Sequence, residues 1–536
     1  SGGVKLLDVD PGEATNRTVV TFVGSPEAVV EAAFAGVKKA AELIDMRKHK
    51  GAHPRMGATD VLPLIPIAGI TLEECAELAR KLAERIAGEL HVPTYCYEAA
   101  AFTPRRRNLA VCREGEYEAL PEKLAHEESA PDFGARPFDE GVARTGATTV
   151  GARDFLIAVN FNLNTTSTRR ANAIAFDVRE KGRPVREGNP ITGRVVKDAA
   201  GNPVMQPGTL PATKAIGWFI EEYGVAQVSM NITDISRTPL HAAFDEVCRK
   251  ADARGVRVTG TEIVGLVPKR ALVEAGKYFL RKQRRSTGVA EEEIVRIAVK
   301  SMGLDDLKPF DPAEKVIEYL LEAEVPKKRL IDMACKAFAE ETASESPAPG
   351  GGSIAAYMGA LGAALGTMVA NLSSHKAGWD DRWEEFSDWA ERGQAVLAEL
   401  LHLVDEDTAA FNRIMAVFAM PKSTDEEKAA RSAALQEATL YATEVPLRTM
   451  KAASRVFEIV RAMASEGNPN SVSDAGVGAL AARSAVLGAC LNVKINAAGL
   501  KDRAVADALI AEADALAAEA VRLEAEVLQI VESKIG

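Results

Sequence analysis

Cysteine is scarce: six residues in 536, at positions 75, 96, 112, 248, 335 and 490, without a Cys-x-x-Cys pair. That scatter supports neither a disulfide framework nor a clustered zinc site, so no metal is expected and a reducing cytoplasm is the natural setting. A basic excess is lacking too, since 65 Lys and Arg stand against 76 Asp and Glu for a formal net charge of −11. Broad contact with nucleic acid needs a basic face, so nucleic acid is not an expected partner. No signal peptide opens the chain. Charge is absent altogether from Ile354 to Leu372, a run long enough to be weighed as a membrane span. Its Ala and Gly content, the polar Thr367 and Asn371, a lone basic flank at Lys376 and the want of a second such run point to a buried helix and no membrane span.

What the chain does have is length and apolar content for two to four domains. Its first half alternates strands with helices. Val4 to Asp10 and Arg17 to Val23 read as strands, Ser25-Pro26-Glu27 opens a helix, Val61 to Ile67 is a strand, Thr71 to Glu89 a helix and Val92 to Tyr97 a strand. A second series follows: a strand at Phe155 to Leu163, a helix at Thr168 to Lys181, a hairpin around Tyr223-Gly224, a helix at Pro239 to Arg254 and a strand at Val256 to Leu266. Gly182 to Pro211, rich in Gly, Pro and Arg, reads as an insertion. Two α/β lobes of related plan predict a cleft between their sheets, a common place for a small-molecule site. From Leu330 the strand signal stops and Ala- and Leu-rich helical periods take over, which predicts a separate all-α bundle with Pro446 interrupting one helix.

Three stretches concentrate polar chemistry. In His49-Lys50-Gly51-Ala52-His53-Pro54-Arg55-Met56-Gly57, ending at Asp60, an imidazole that titrates near neutrality stands beside a permanent cation in a glycine-flanked loop. A base next to an anion clamp and an inert solvated loop both fit that pattern. Leu403 to Phe411 sets Asp405, Glu406 and Asp407 in an apolar helix, where Asp405 and Asp407 stand about 200° apart around the axis. Pro349-Gly350-Gly351-Gly352-Ser353 precedes a helix whose free N–H groups and dipole can receive an anion.

Leu6-Leu7-Asp8-Val9-Asp10, Thr15-Asn16-Arg17-Thr18-Val19, Thr21-Phe22-Val23-Gly24, Leu43-Ile44-Asp45-Met46 and His53-Pro54-Arg55-Met56-Gly57 occur in an order that resembles the glutamate formimidoyltransferase family. The glycine run at 350–352, with Pro421-Lys422, Ala434-Leu435-Gln436-Glu437 and Asn492-Val493-Lys494-Ile495-Asn496, resembles formimidoyltetrahydrofolate cyclodeaminase. Nearly the whole chain is thus similar to the fused formimidoyltransferase-cyclodeaminase family. That resemblance implies an α/β half of two ferredoxin-like βαββαβ lobes at 1–150 and 151–281, a helical linker at 282–329 and an all-α helical-bundle domain at 330–536. A strand and helix that the family carries near its start, with an Asn-Phe-Ser-Glu-Gly segment, are not found, and truncation or an unobserved N-terminus is expected to explain this.

The resemblance also implies the chemistry. A formimidoyl group passes from N-formimidoyl-L-glutamate to N5 of tetrahydrofolate, then closes onto N10 with loss of ammonia to give 5,10-methenyltetrahydrofolate. Tetrahydrofolate, polyglutamylated or not, is a co-substrate, and no metal takes part. Carried over residue by residue, His53 is the base of the first reaction, Asp10 its acidic partner and Asp407 the proton-handling group of the second. Arg55 is expected to grip a glutamate carboxylate, a structural ion pair being the other reading, and His49 is a bystander. Gly134 and Gly146 belong to a loop that borders folate, while Gly350, Gly351, Gly352 and Ser353 form the anion-binding start of a helix. Homo-oligomerisation through the helical domain is implied as well. Two further readings stay open: N-formylglutamate as the donor, or one domain inactive and kept as a folate-binding or assembly module.

Overall fold

The structure, a computed structural model, describes every residue except 1–2, 13–15, 51–53, 136, 190–191 and 323–328. The chain divides into two units, residues 1–275 with 302–324 and residues 276–301 with 325–536.

In the first unit β1 (Val4–Gly12) and β2 (Arg17–Gly24) pair as an antiparallel hairpin, with a register shift between Leu6 and Asp8. α1 (Pro26–Leu43) begins where its cap chemistry says: Ser25 Oγ accepts from the Ala28 N–H, and Pro26 takes a position that needs no N–H. α2 (Leu72–Leu90) opens with a complete capping box between Thr71 and Glu74. Its Ala79, Leu82, Ala83 and Ile86 form a buried stripe at helical spacing. The stripe shares a core with a parallel sheet made of β3 (Val61–Leu64), β4 (Thr94–Glu98) and β5 (Thr148–Ala152), in the order β3-β5-β4. The middle strand, β5, has no counterpart in the sequence reading. It is five residues long and contains Gly151, whose missing side chain makes room for the Tyr97 ring. The hairpin does not join this sheet, so the first lobe departs from a single-sheet plan.

The second lobe runs β6 (Ile157–Leu163), α3 (Thr168–Val178), β7 (Thr213–Ile220), β8 (Val225–Ile232), α4 (Leu240–Asp252) and β9 (Val258–Val264). Its four strands are antiparallel in the order β9-β6-β8-β7. Pleating sends Val159 and Phe161 into the core, where Phe161 meets Phe244 of α4. The alternate positions carry amides, and Gln227 Nε2 donates to Asn162 Oδ1 at 2.8 Å. The predicted insertion folds on itself, Arg183–Pro184 pairing with Met205–Gln206.

The stretch 282–329, expected as a linker, is shared between the units. Residues 302–324 join the first, where the Thr261 N–H donates to Gly303 O at 2.9 Å. Residues 276–301 join the second, where the Thr287 N–H donates to Ser387 Oγ at 3.0 Å and Asn371 Nδ2 to Gly288 O at 2.8 Å. The bundle itself consists of α5 (Gly351–Ser374), α6 (Trp383–Phe418), α7 (Asp425–Ser454), α8 (Val456–Glu466), α9 (Val472–Ala497) and α10 (Arg503–Ile535).

Two expectations about these helices need correction. Pro446 does not interrupt α7, which continues to Ser454. A proline there denies a hydrogen bond to the carbonyl four residues back, Ala442. Asn496 Nδ2 of α9 supplies it instead, at 2.7 Å. The charge-free run of α5 is also not alone, since Pro469–Ala497 is likewise long and apolar enough to cross a membrane by length and composition. Most of the α5 window and half of the other are buried inside the unit, as core helices are.

Candidate functional site

A cavity of about 520 Å³ opens in the first lobe between β2, α1 and the segment leading into β3. Its lining runs from Asn16 to Leu62, so its described lining residues all belong to this lobe and none to the second. Thr18, Val20 and Phe22 reach it from one face of β2, and Gly36 and Ala40 keep the α1 wall low. The separation of the hairpin from the parallel sheet leaves this space.

His53 lies outside the described residues, with Gly51 and Ala52, but both ends of its loop are on the cavity wall. At one end Asn16 Nδ2 donates to Lys50 O at 2.8 Å and meets His49 Nδ1 at 3.3 Å, so His49, expected to be a bystander, is part of the wall. At the other end Arg55 is already engaged. Its Nη1 and Nη2 form a fork on Glu118 at 3.0 and 2.7 Å, Nη1 also reaches Glu116 at 3.2 Å, and Nη2 donates to His49 O at 3.1 Å. Hydrogen bonds donated to Glu118 raise the guanidinium pKa above its ordinary value. Of the two readings of Arg55, the structure has the ion pair: a carboxylate of the protein fills the fork that a substrate carboxylate was expected to take.

The acid on the cavity wall is Asp60. Its Oδ1 accepts from the Met56 N–H at 3.0 Å and from Arg113 Nε at 3.3 Å, while Oδ2 meets Arg113 Nη2 closely and Arg17 Nη1 at 3.6 Å. Burial pulls the Arg17 guanidinium below its ordinary pKa, Asp60 opposing and the Arg113 charge adding to the fall. Asp10, expected as the acidic partner, is instead exposed on β1 opposite Val19 and does not line the cavity. Gly134 and Gly146 do not line it either. Both have positive φ, and each is explained by close packing: a Cβ on Gly134 would stand 2.9 Å from Ala87 Cβ, and one on Gly146 would collide with Met56 O. The sequence did contain a signal for Asp60, which closes the same polar run as His53. Arg113, Glu116 and Glu118 are too far along the chain for any local pattern to join them to it.

In the second unit the helix start and the aspartate meet. Ser353, fully buried in the first turn of α5, donates from Oγ to Val404 O at 2.8 Å and to Asp407 Oδ2 at 3.1 Å, with Thr408 Oγ1 3.3 Å away. Gly352 is required there, because a Cβ would collide with Asp407 Oδ1. The carboxylate of Asp407 thus occupies the N-terminus of α5 that was expected to receive an outside anion. Burial raises its pKa, against the hydrogen bonds from the Ser353 side chain and backbone that favour the charged form. Asp405 points elsewhere, as the helical spacing requires, its Oδ1 accepting from the Leu330 N–H at 2.7 Å. Gly351 lies beside Asn492 of α9, whose Nδ2 would be 3.5 Å from an added Cβ, and Gly350 caps α5 without a side chain. Among the described residues no group of three or more His, Cys, Asp or Glu is placed to hold a metal ion.

Comparison with known proteins matches the chain in three consecutive pieces. Residues 1–153 match the family model described as the formiminotransferase domain, N-terminal subdomain, residues 158–322 that of the formiminotransferase domain and residues 334–515 that of formiminotransferase-cyclodeaminase. A formimidoyltransferase-cyclodeaminase of Rattus norvegicus is 43% identical over 500 residues, covering 93% of this chain and 88% of its own length. A glutamate formimidoyltransferase of Streptococcus pyogenes serotype M1 is 41% identical over 279 residues, or 52% of this chain and 84% of that one. A methenyltetrahydrofolate cyclohydrolase of Methylorubrum extorquens is 40% identical over 198 residues, 37% of this chain and 95% of that protein.

Proposed function

The chain belongs to the formimidoyltransferase-cyclodeaminase family, and from that premise we propose how its residues divide the work. It is a bifunctional folate-dependent enzyme: it transfers the formimidoyl group of N-formimidoyl-L-glutamate to tetrahydrofolate, then cyclises 5-formimidoyltetrahydrofolate to 5,10-methenyltetrahydrofolate with release of ammonia. In the first step N5 bonds to the amidine carbon while the bond from that carbon to the glutamate nitrogen breaks. The proton leaving N5 must reach the departing nitrogen. We assign that shuttle to the imidazole of His53, whose loop ends on the wall of the 520 Å³ cavity. Asp60 replaces Asp10 as the acid that orders this wall.

In the second step N10 bonds to the formimidoyl carbon and the carbon–nitrogen bond to ammonia breaks. The N10 proton and one further proton leave with the nitrogen. Asp407 is assigned to this transfer, because burial favours its protonated form beside Ser353. That contact is the observation that carries the assignment.

The finer points of architecture belong to the same proposal. The second lobe's βαββαβ order and the strand order β9-β6-β8-β7 support a ferredoxin-like plan. Domains are assigned at 1–150, 151–281 and 330–536, with 282–329 between them. The helical domain is assigned to homo-oligomer contacts, supported by exposed Leu361, Met368 and Leu372 on α5 and Leu491 and Ile495 on α9. Six free cysteines support a reducing compartment, the cytoplasm.

The test is a spectrophotometric time course of methenyl product, fed with both substrates or with 5-formimidoyltetrahydrofolate alone. His53→Ala is expected to abolish the first step only. Asp407→Ala is expected to let 5-formimidoyltetrahydrofolate accumulate, the second step slowing by about 10²–10⁴-fold. Ammonia release at the normal rate would refute the Asp407 role, and N-formylglutamate supplied as donor in the same assay tests the rival substrate.

A further inference from the structure

The segment Arg113–Glu118 has no part in the chemistry so far, yet it grips the far end of the loop that carries His53. We propose that Glu116 is a positioning residue for the transfer step, its carboxylate holding that loop in working geometry through Arg55. The inference rests on the reading of His53 as the base.

The backbone supplies the first observation. Glu116 has φ 57° and ψ −154°, a conformation natural to glycine and strained for any residue with a Cβ. The aim of its side chain gives the strain a purpose. Oε2 accepts from the backbone N–H of Arg55 at 3.3 Å and from its Nη1 at 3.2 Å, while the N–H of the next residue, Tyr117, donates to Arg55 O at 2.9 Å. Both backbone polar groups of Arg55 are therefore held by consecutive residues of the turn.

The guanidinium continues the grip. It forks onto Glu118 and donates to His49 O, which ties residue 55 to residue 49. Exposure shows which partner is the fixed one: the Arg55 side chain is 18% exposed, against 40% for Glu116 and 61% for Glu118. A mostly buried guanidinium depends on its carboxylates far more than a surface pair does. The same segment fixes the following residue as well, since Arg113 holds the Asp60 carboxylate that accepts from the Met56 N–H. The two described residues that follow Pro54 are thus both set by 113–118.

The deciding variant is Glu116→Gly in the full chain, because glycine removes the strain along with the carboxylate and so separates positioning from stability. Expected are a Tm close to wild type, relief of strain offsetting the lost carboxylate, a transfer kcat lower by about ten- to a hundredfold, and KM values for both substrates within about threefold. Glu116→Gln keeps an acceptor oxygen at the same reach and is expected to retain more transfer activity than the glycine variant. Cyclisation of 5-formimidoyltetrahydrofolate by the same samples should be unchanged, and rates are read well below every Tm. A transfer kcat within about threefold of wild type, or a loss confined to KM, overturns the inference whatever happens to Tm. His53→Ala run alongside separates the two failures. If it transfers normally, the base assignment falls; if it is inactive while Glu116→Gly is fully active, only the positioning role falls.

Discussion

The two candidate sites frame the residues proposed to move protons by opposite means. Asp407 stands in the interior of a 36-residue helix, its direction set by backbone geometry and its surroundings by Ser353 and Gly352 of α5. The first lobe's loop is described only at its ends. Its ends are held by side chains, Asn16 at His49 and Lys50 and the Glu116, Glu118 and Asp60 carboxylates at Arg55 and Met56. A site borne on a helix should tolerate loss of a neighbouring charge and fail when its shape is altered; a site on a tied loop should do the reverse.

The sharpest way to break that comparison is Gly352→Ala. A methyl group there collides with Asp407 Oδ1, so the carboxylate must move, and cyclisation is expected to fall by about a hundredfold while transfer is unchanged. Equal losses in both reactions would break the contrast. Arg55→Lys should do the converse with a smaller effect. An ammonium cannot reproduce the fork on Glu118 together with the bond to His49 O, so transfer is expected to fall by about tenfold and stability by about 0.5–3 kcal/mol in urea unfolding, with cyclisation intact.

The smallest effect is a pH dependence. Burial raises the Asp407 pKa, so the folded state holds that proton more tightly than the unfolded chain does. The stability this group contributes is complete below the ordinary carboxylate range and is lost as pH rises through the folded value. Asp407→Asn cannot ionise, so its Tm relative to wild type should improve between about pH 4 and pH 8. A difference that stays flat across that range would show that the carboxylate reaches solvent.

Local features of both sites were legible in the sequence. The helix starts at Ser25 and Thr71 and the change from alternating strands to an all-helical region appear as read, because each depends on residues a few positions apart. The helical spacing of Asp405 and Asp407 correctly sent them to different partners. What failed were inferences that needed a distant neighbour. Asp10, expected beside the His53 loop, is exposed on β1 while Asp60 stands on the cavity wall, β5 was invisible because Gly151 answers to the Tyr97 ring, and Pro446 sits inside a helix because Asn496 satisfies the carbonyl it leaves open.

Sequence alone thus settled most of the order of elements, β5 apart, the tandem arrangement and, through ordered motifs, the family, since all of these are written in short-range spacing and composition. Tertiary structure alone decided which carboxylate meets which cation and which helix start meets which acid. Those pairings join residues dozens of positions apart, and only the packing of whole elements brings them within hydrogen-bonding distance.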